Sequence, residues 1–127
     1  QGVQMGTHFV VRNDSQVLEN YMDMIIKARD IDSRVTGRST GHPVRALRNQ
    51  MTKEYLQKEQ EGASFEELEL LTLGGLRKAV VEGDVKTGSV MAGQIAGMVK
   101  EKMSCHDLIQ KLVKETDDLI GGKGFYE

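Results

Sequence analysis

The stretch Gly2-Val-Gln-Met-Gly-Thr-His-Phe-Val-Val11 decides how the rest of the chain is read. Val3 and Met5, then Phe9, Val10 and Val11, make a short apolar run of the kind a sheet interior needs. Gly6 and Thr7 stand where that run can expose backbone N–H groups and a hydroxyl to an anion. So apolar a strand needs partners for both ladders of its backbone groups, and the sequence downstream offers few. The expectation is an α/β protein in which residues 1–12 supply the last strand and its turn. Helical segments over 13–127 follow, and the rest of the sheet lies upstream in a longer protein.

Composition narrows the class. Hydrophobic residues make 39% of the chain and charged residues 28%, a globular balance. A net charge of −2 points away from nucleic acid or anionic membrane as main partner. The apolar runs are too short to span a bilayer, and Gln1 is followed by no basic and apolar leader. A single cysteine, Cys105, fits a reducing, cytoplasmic setting. With no Trp and few other aromatics, the core has to be built from Leu, Ile, Val and Met, with close backbone approaches at some of the 14 glycines.

Working outward, Asn13-Asp14-Ser15 reads as a helix start ahead of Val17, Leu18, Tyr21, Met22, Ile25 and Ile26. Residues 30–36 break that period and read as a short extended piece, and Gly37–Gly41 as a polar loop. Pro43 suits the first turn of a helix with Val44, Leu47, Met51 and Tyr55 as its buried stripe, ending at Gly62. Ser64 and Glu67 fit a capping box before Leu68 and Leu71. Gly74-Gly75 interrupts, and a short helix resumes through Ala79 and Val80. Residues 89–99 read as a helix carrying Gly93 and Gly97 on one face, where small residues admit another backbone or a flat ligand. Ser104 and Asp107 open a last helix, stopped by Gly121-Gly122.

The turn Gln4-Met5-Gly6-Thr7 is the main candidate site, because phosphate sites at the ends of barrel strands use backbone N–H groups, glycine access and a hydroxyl. An ordinary strand-to-loop turn is the competing reading. His8, His42 and His106 have bland alternatives as packed, capping or solvated residues. No His, Cys or carboxylate set has the spacing of metal ligands, so no metal is assigned. Cys105 has no sequence partner that would activate it and reads as a structural thiol. Arg34, Arg38, Arg45, Arg48 and Lys53 make a locally basic segment, either a solvated face or a docking surface for an anionic partner.

Five motifs in series carry a resemblance: Gly2-Val-Gln-Met-Gly-Thr7, Asp30-Ile-Asp32 before a Thr-Gly loop, Gly41-His-Pro-Val-Arg-Ala-Leu-Arg-Asn49, Gly75-Leu-Arg-Lys-Ala-Val-Val-Glu-Gly-Asp84, and Gly88-Ser-Val-Met-Ala-Gly-Gln-Ile-Ala-Gly97. Together they resemble the C-terminal part of the flavin-type enoyl-acyl-carrier-protein reductases (enoyl reductase II), which belong with the nitronate monooxygenases. The resemblance implies the C-terminal portion of a (β/α)8 barrel, FMN as cofactor and NADH or NADPH as reductant. It also implies acyl carrier protein or an acyl thioester as substrate partner, the remainder of the barrel, and a homodimer. It carries the FMN phosphate onto Gln4, Met5, Gly6 and Thr7, and the substrate or flavin pocket onto Ser89, Met91, Gly93 and Gln94. The catalytic proton donor is expected upstream. One departure stands out: an Arg commonly follows the Gly-Thr pair, and here it is His8. The rival within the family is a nitronate monooxygenase using oxygen. The rival of another class is a non-enzymatic helical interaction module.

Overall fold

The computed structural model describes residues 2–121. In chain order the elements are α1 (Thr7–Val10), α2 (Glu19–Lys27), β1 (Ser33–Thr36), β2 (Val44–Leu47), α3 (Gln50–Gln60), α4 (Phe65–Thr72), α5 (Gly75–Val81), a 3-10 turn (Gln94–Met98) and α6 (Cys105–Leu119). The chain is thus mostly helical with one small sheet. Among the described residues no helix is long and apolar enough to cross a membrane.

The expected strand over the first residues does not form. Residues 2–5 have no regular structure, and Thr7–Val10 is one helical turn in which the N–H groups of Phe9 and Val10 donate to Gly6 O. No other strand lies beside this stretch among the described residues, so a local turn satisfies groups that a ladder would otherwise hold. Val11 is still buried, and Arg12 makes a parallel bridge with Met103.

The second correction concerns residues 43–48. The expected helix from Pro43 is instead a hairpin: β1 and β2 pair antiparallel, Ser33 opposite Leu47 and Thr36 opposite Val44. Proline suits the entry to a strand as well as a helix's first turn. Helix α3 begins later, at Asn49, where the Asn49 side chain accepts from Thr52 N while Thr52 Oγ1 accepts from Asn49 N, both at 2.9 Å. Asn49 Nδ2 also donates to Val85 O and Gly88 O, at 2.9 and 2.7 Å, clamping the start of α3 onto the 85–88 loop.

Residues 89–93 are the third correction. They are extended, not helical, and lie along β2 as a third strand in all but length. Leu47 N donates to Val90 O at 2.8 Å, Ala92 N to Arg45 O at 3.4 Å, and Ala46 bridges Met91 antiparallel. Pairing with β2 replaces the intrahelical bonds, and Gly93 serves as the extended entry to the 3-10 turn.

Other expectations meet the structure closely. The capping box of Ser64 and Glu67 starts α4, and Ser104 caps α6 by accepting from Asp107 N. Residues 33–36 are extended as expected. Helix α2 starts four to five residues beyond the Asp14-Ser15 cluster, because Asp14 is used elsewhere: its carboxylate accepts from Cys105 N at the start of α6. Gly122 lies outside the described residues.

Two apolar clusters result. The larger joins Tyr21, Met22 and Ile25 of α2 to Val11, Leu47, Ala79, Val90, Ala92, Ala96 and Val99; the smaller is Met51, Tyr55 and Leu68 between α3 and α4. Burying a large apolar side chain stabilises by about 1.5–3 kcal/mol, so the first cluster is what fixes residues 89–99 against α2 and the hairpin.

Candidate functional site

Being extended, residues 89–93 present alternate side chains to opposite sides. Val90 and Ala92 enter the larger core, at 0% and 6% exposure. Ser89 and Met91 turn the other way and line a cavity of about 370 Å³, together with Ala46 of β2, Met51 and Tyr55 of α3, and Phe65 of α4. Leu76, Val44 and the His42–Phe65 ring pair, with centroids 6.4 Å apart, complete its mostly apolar wall. The backbone of this segment is held from the core side as well: Tyr21 donates its hydroxyl hydrogen to Met91 O at 2.7 Å. Burial pushes the Tyr21 phenol up to about 12, so it remains a donor.

The same segment ends on the N-terminal turn. Gly93 N donates to Thr7 Oγ1 at 2.8 Å. The structure therefore brings together one member of each group of site candidates, Thr7 and Gly93, across most of the chain's length. Gln4 is exposed, Met5 is half-buried, and Gln94 points to solvent at the start of the 3-10 turn. Ser89 and Met91 do not meet the turn; they belong to the cavity on the far side of β2. Gly97 does make a close backbone approach, since a Cβ there would stand 2.7 Å from Asp30 N, while one at Gly93 would meet only Thr7 Oγ1 at 3.5 Å.

Charged groups near these residues are largely committed. Arg45 donates to Ser33 Oγ at 2.8 Å, Arg48 pairs with Asp32 at 3.0 Å, and Arg34 donates to the carbonyls of Ile31 and Ser33. Arg38 and Lys53 are exposed. Burial, with Arg12 and Lys111 nearby, pushes the His8 imidazole down. Burial and Asp14 push the Cys105 thiol up, which favours an inert thiol over a nucleophile. No group of three potential metal ligands occurs among the described residues. Asn49 and Tyr21 escaped the sequence reading as organisers of this region; the Asn-x-x-Thr spacing before an apolar helix was the available signal for the first.

Comparison with known proteins gives a consistent picture. A family model described as nitronate monooxygenase matches residues 1–115. A probable nitronate monooxygenase of Staphylococcus saprophyticus is 27% identical over 94% of this chain and 34% of its own length. One from Staphylococcus aureus is 33% identical over 74% of this chain and 26% of its own. FabK from Thermotoga maritima superimposes with a TM-score of 0.89 at 38% identity, covering 95% of this chain and 38% of FabK. Nitroalkane oxidase from Streptomyces ansochromogenes reaches 0.66 at 23% identity over 91% of this chain and 32% of its own, a likeness of fold alone. FabK and nitroalkane oxidase are TIM-barrel enzymes, and the chain spans about a third of the curated relatives it matches along most of its length.

Proposed function

Because the chain belongs to the nitronate monooxygenase family, we propose that it forms the C-terminal third of an FMN-dependent oxidoreductase, and that this enzyme reduces enoyl-acyl-carrier-protein thioesters with NADH or NADPH. The observation that carries the finer reading is the 0.89 superposition on FabK at 38% identity, FabK being an enoyl reductase of the type the five motifs resemble. The names of the curated relatives favour a second reading, oxidation of alkyl nitronates with oxygen.

The turn suits a flavin phosphate. Thr7 Oγ1 already accepts from Gly93 N, so its own hydrogen is free to donate to an anion. The α1 turn begins at Gly6 without a side-chain cap, which leaves its first N–H groups to a ligand. Gly6 has φ −113° and open space around the position of a Cβ, so nothing in the described fold demands glycine there; ligand access does. In this reading Gln4, Met5, Gly6 and Thr7 hold the phosphate, Gly93 and Gln94 border the flavin, and Ser89 and Met91 face the apolar space an acyl chain occupies. The flavin, when bound, supplies the hydride chemistry. The proton donor lies outside this chain, and exposed Arg38 and Lys53 are the cations left for an acidic carrier protein.

Anaerobic stopped-flow on the full-length enzyme tests both readings. Reduction of the flavin by NADH or NADPH and rapid reoxidation by a crotonyl thioester is the expected outcome. Reduction by an alkyl nitronate with no response to nucleotide would replace it with the second reading.

A further inference from the structure

Next to the turn and away from the apolar cavity, a second cavity of about 430 Å³ lies between the 98–103 segment and α6, lined by His8, Arg12, Lys100, Glu101, Lys111 and Glu115 among others. Arg12 is 1% exposed. Its Nε donates to His8 O at 2.6 Å and its Nη2 to Glu101 O at 3.2 Å, both uncharged acceptors. Its Nη1 has no partner, and neither does His8 Nδ1; these are the two buried side-chain atoms left unpaired among the described residues, and both residues line this one cavity.

No carboxylate among the described residues pairs directly with the guanidinium, although Asp14 and Glu101 stand near enough to act on it through space. Glu101 is drawn to Lys111 at 2.9 Å, and Asp14 is occupied by Cys105 N at 3.1 Å. Lys100 is turned to the carbonyls of Ile26 and Ala28 at the end of α2. Around the cavity stand three cations, Arg12, Lys100 and Lys111, against two anions, Glu101 and Glu115. A buried charge without a counter-charge is costly, and a buried donor without an acceptor adds to that cost. The space is many times the roughly 30 Å³ share of a water molecule.

We propose that this cavity binds a small oxyanion, a carboxylate or a phosphate, seated on Nη1 of Arg12 with Lys111 at its edge. The oxyanion supplies the acceptor that Nη1 lacks, and His8 Nδ1 stands in the same cavity as a further polar contact. The site adjoins the flavin turn through His8 and does not depend on which reaction the enzyme runs.

The test uses full-length protein saturated with FMN, so that the flavin site cannot take up the probe. Isothermal titration and thermal unfolding are followed with inorganic phosphate and, separately, acetate, each against chloride at equal ionic strength. Saturable heat and a raised unfolding midpoint with either anion support the site, and the stronger of the two identifies the class. Arg12→Lys should weaken that binding by roughly tenfold, the scale of one charged hydrogen bond, and Lys111→Met should weaken it several-fold, with flavin absorbance unchanged in both. Lys111 is half-exposed on α6, so its variant decides the matter even where Arg12 variants fail to fold. No saturable response beyond chloride, or an equal response in the Lys111→Met protein, would overturn the proposal.

Discussion

Gly88 and Gly6 both stand beside motif residues, and the structure treats them in opposite ways. At Gly88 a Cβ would stand 2.8 Å from Ala79 N and 2.9 Å from Gly75 O, both backbone atoms that cannot step aside. At Gly6 nothing lies within 4 Å, and the backbone angles are ones any residue adopts. The loop at 85–88 is wedged between α5 and the start of α3, where Asn49 Nδ2 grips its carbonyls, so its glycine is a packing requirement. The N-terminal turn is held by Gly93 N donating to Thr7 Oγ1, by Arg12 Nε donating to His8 O and by Val10 against the larger core, and none of these contacts involves the Cα of Gly6. The same residue type thus reports packing in one region and, in the function proposed above, ligand access in the other.

The largest expected effect would break this contrast most directly. Gly88→Ala should destabilise the full-length protein by about 3 kcal/mol, the upper range for forcing a group into a packed interior, read as a lowered denaturant midpoint. Gly6→Val should leave the midpoint of the flavin-free protein nearly unchanged and lose flavin. A Gly6→Val protein that purifies fully flavinated would remove the functional half of the comparison, whatever Gly88 does.

Thr7 sharpens the same contrast at a smaller scale. Thr7→Val strips the hydroxyl that accepts from Gly93 N and should weaken FMN binding by about 1.5 kcal/mol, while Thr7→Ser keeps both roles. Flavin titration of the two apoproteins separates a hydroxyl effect from one of shape. On the packed side, Ser64→Ala should cost about 1 kcal/mol of stability through loss of the α4 cap, with flavin affinity untouched.

The smallest effect is one of pH. Hydrogen bonds from the Arg29 side chain, then from Arg29 N, with Arg48 beyond, hold the Asp32 carboxyl well below the usual carboxylate range. A depressed folded-state value means that this contribution is fully present above the ordinary Asp value and is lost as pH falls through the folded one. Stability measured from about pH 5 down to about pH 2 should therefore fall less steeply in Asp32→Asn than in the parent. An unchanged acid profile would mean that the Asp32 cluster at the foot of the hairpin contributes nothing measurable, as many exposed ion pairs do.

What the sequence by itself determined are the features set within one helical turn. Ser64 with Glu67, and Ser104 with Asp107, satisfy free N–H groups three residues away, so the starts of α4 and α6 were legible without any partner. The ends at Gly62, Gly74 and Gly121, the core positions Met22, Ile25 and Leu68, and the motif order that led to the family were legible for similar reasons. Tertiary structure decided the rest. Residues 44–47 and 89–93 carry mostly small and apolar side chains compatible with either period, and what makes them extended is pairing, residues 44–47 with β1 across the hairpin and residues 89–93 with β2 across more than forty residues of chain. The meeting of Thr7 with Gly93 and the turning of Ser89 and Met91 into a cavity go with that pairing, and the burial of Arg12 with its contacts to Glu101 and Met103, far along the chain. A strand's hydrogen bonds close only through a partner distant in sequence, whereas a cap closes through its own neighbours.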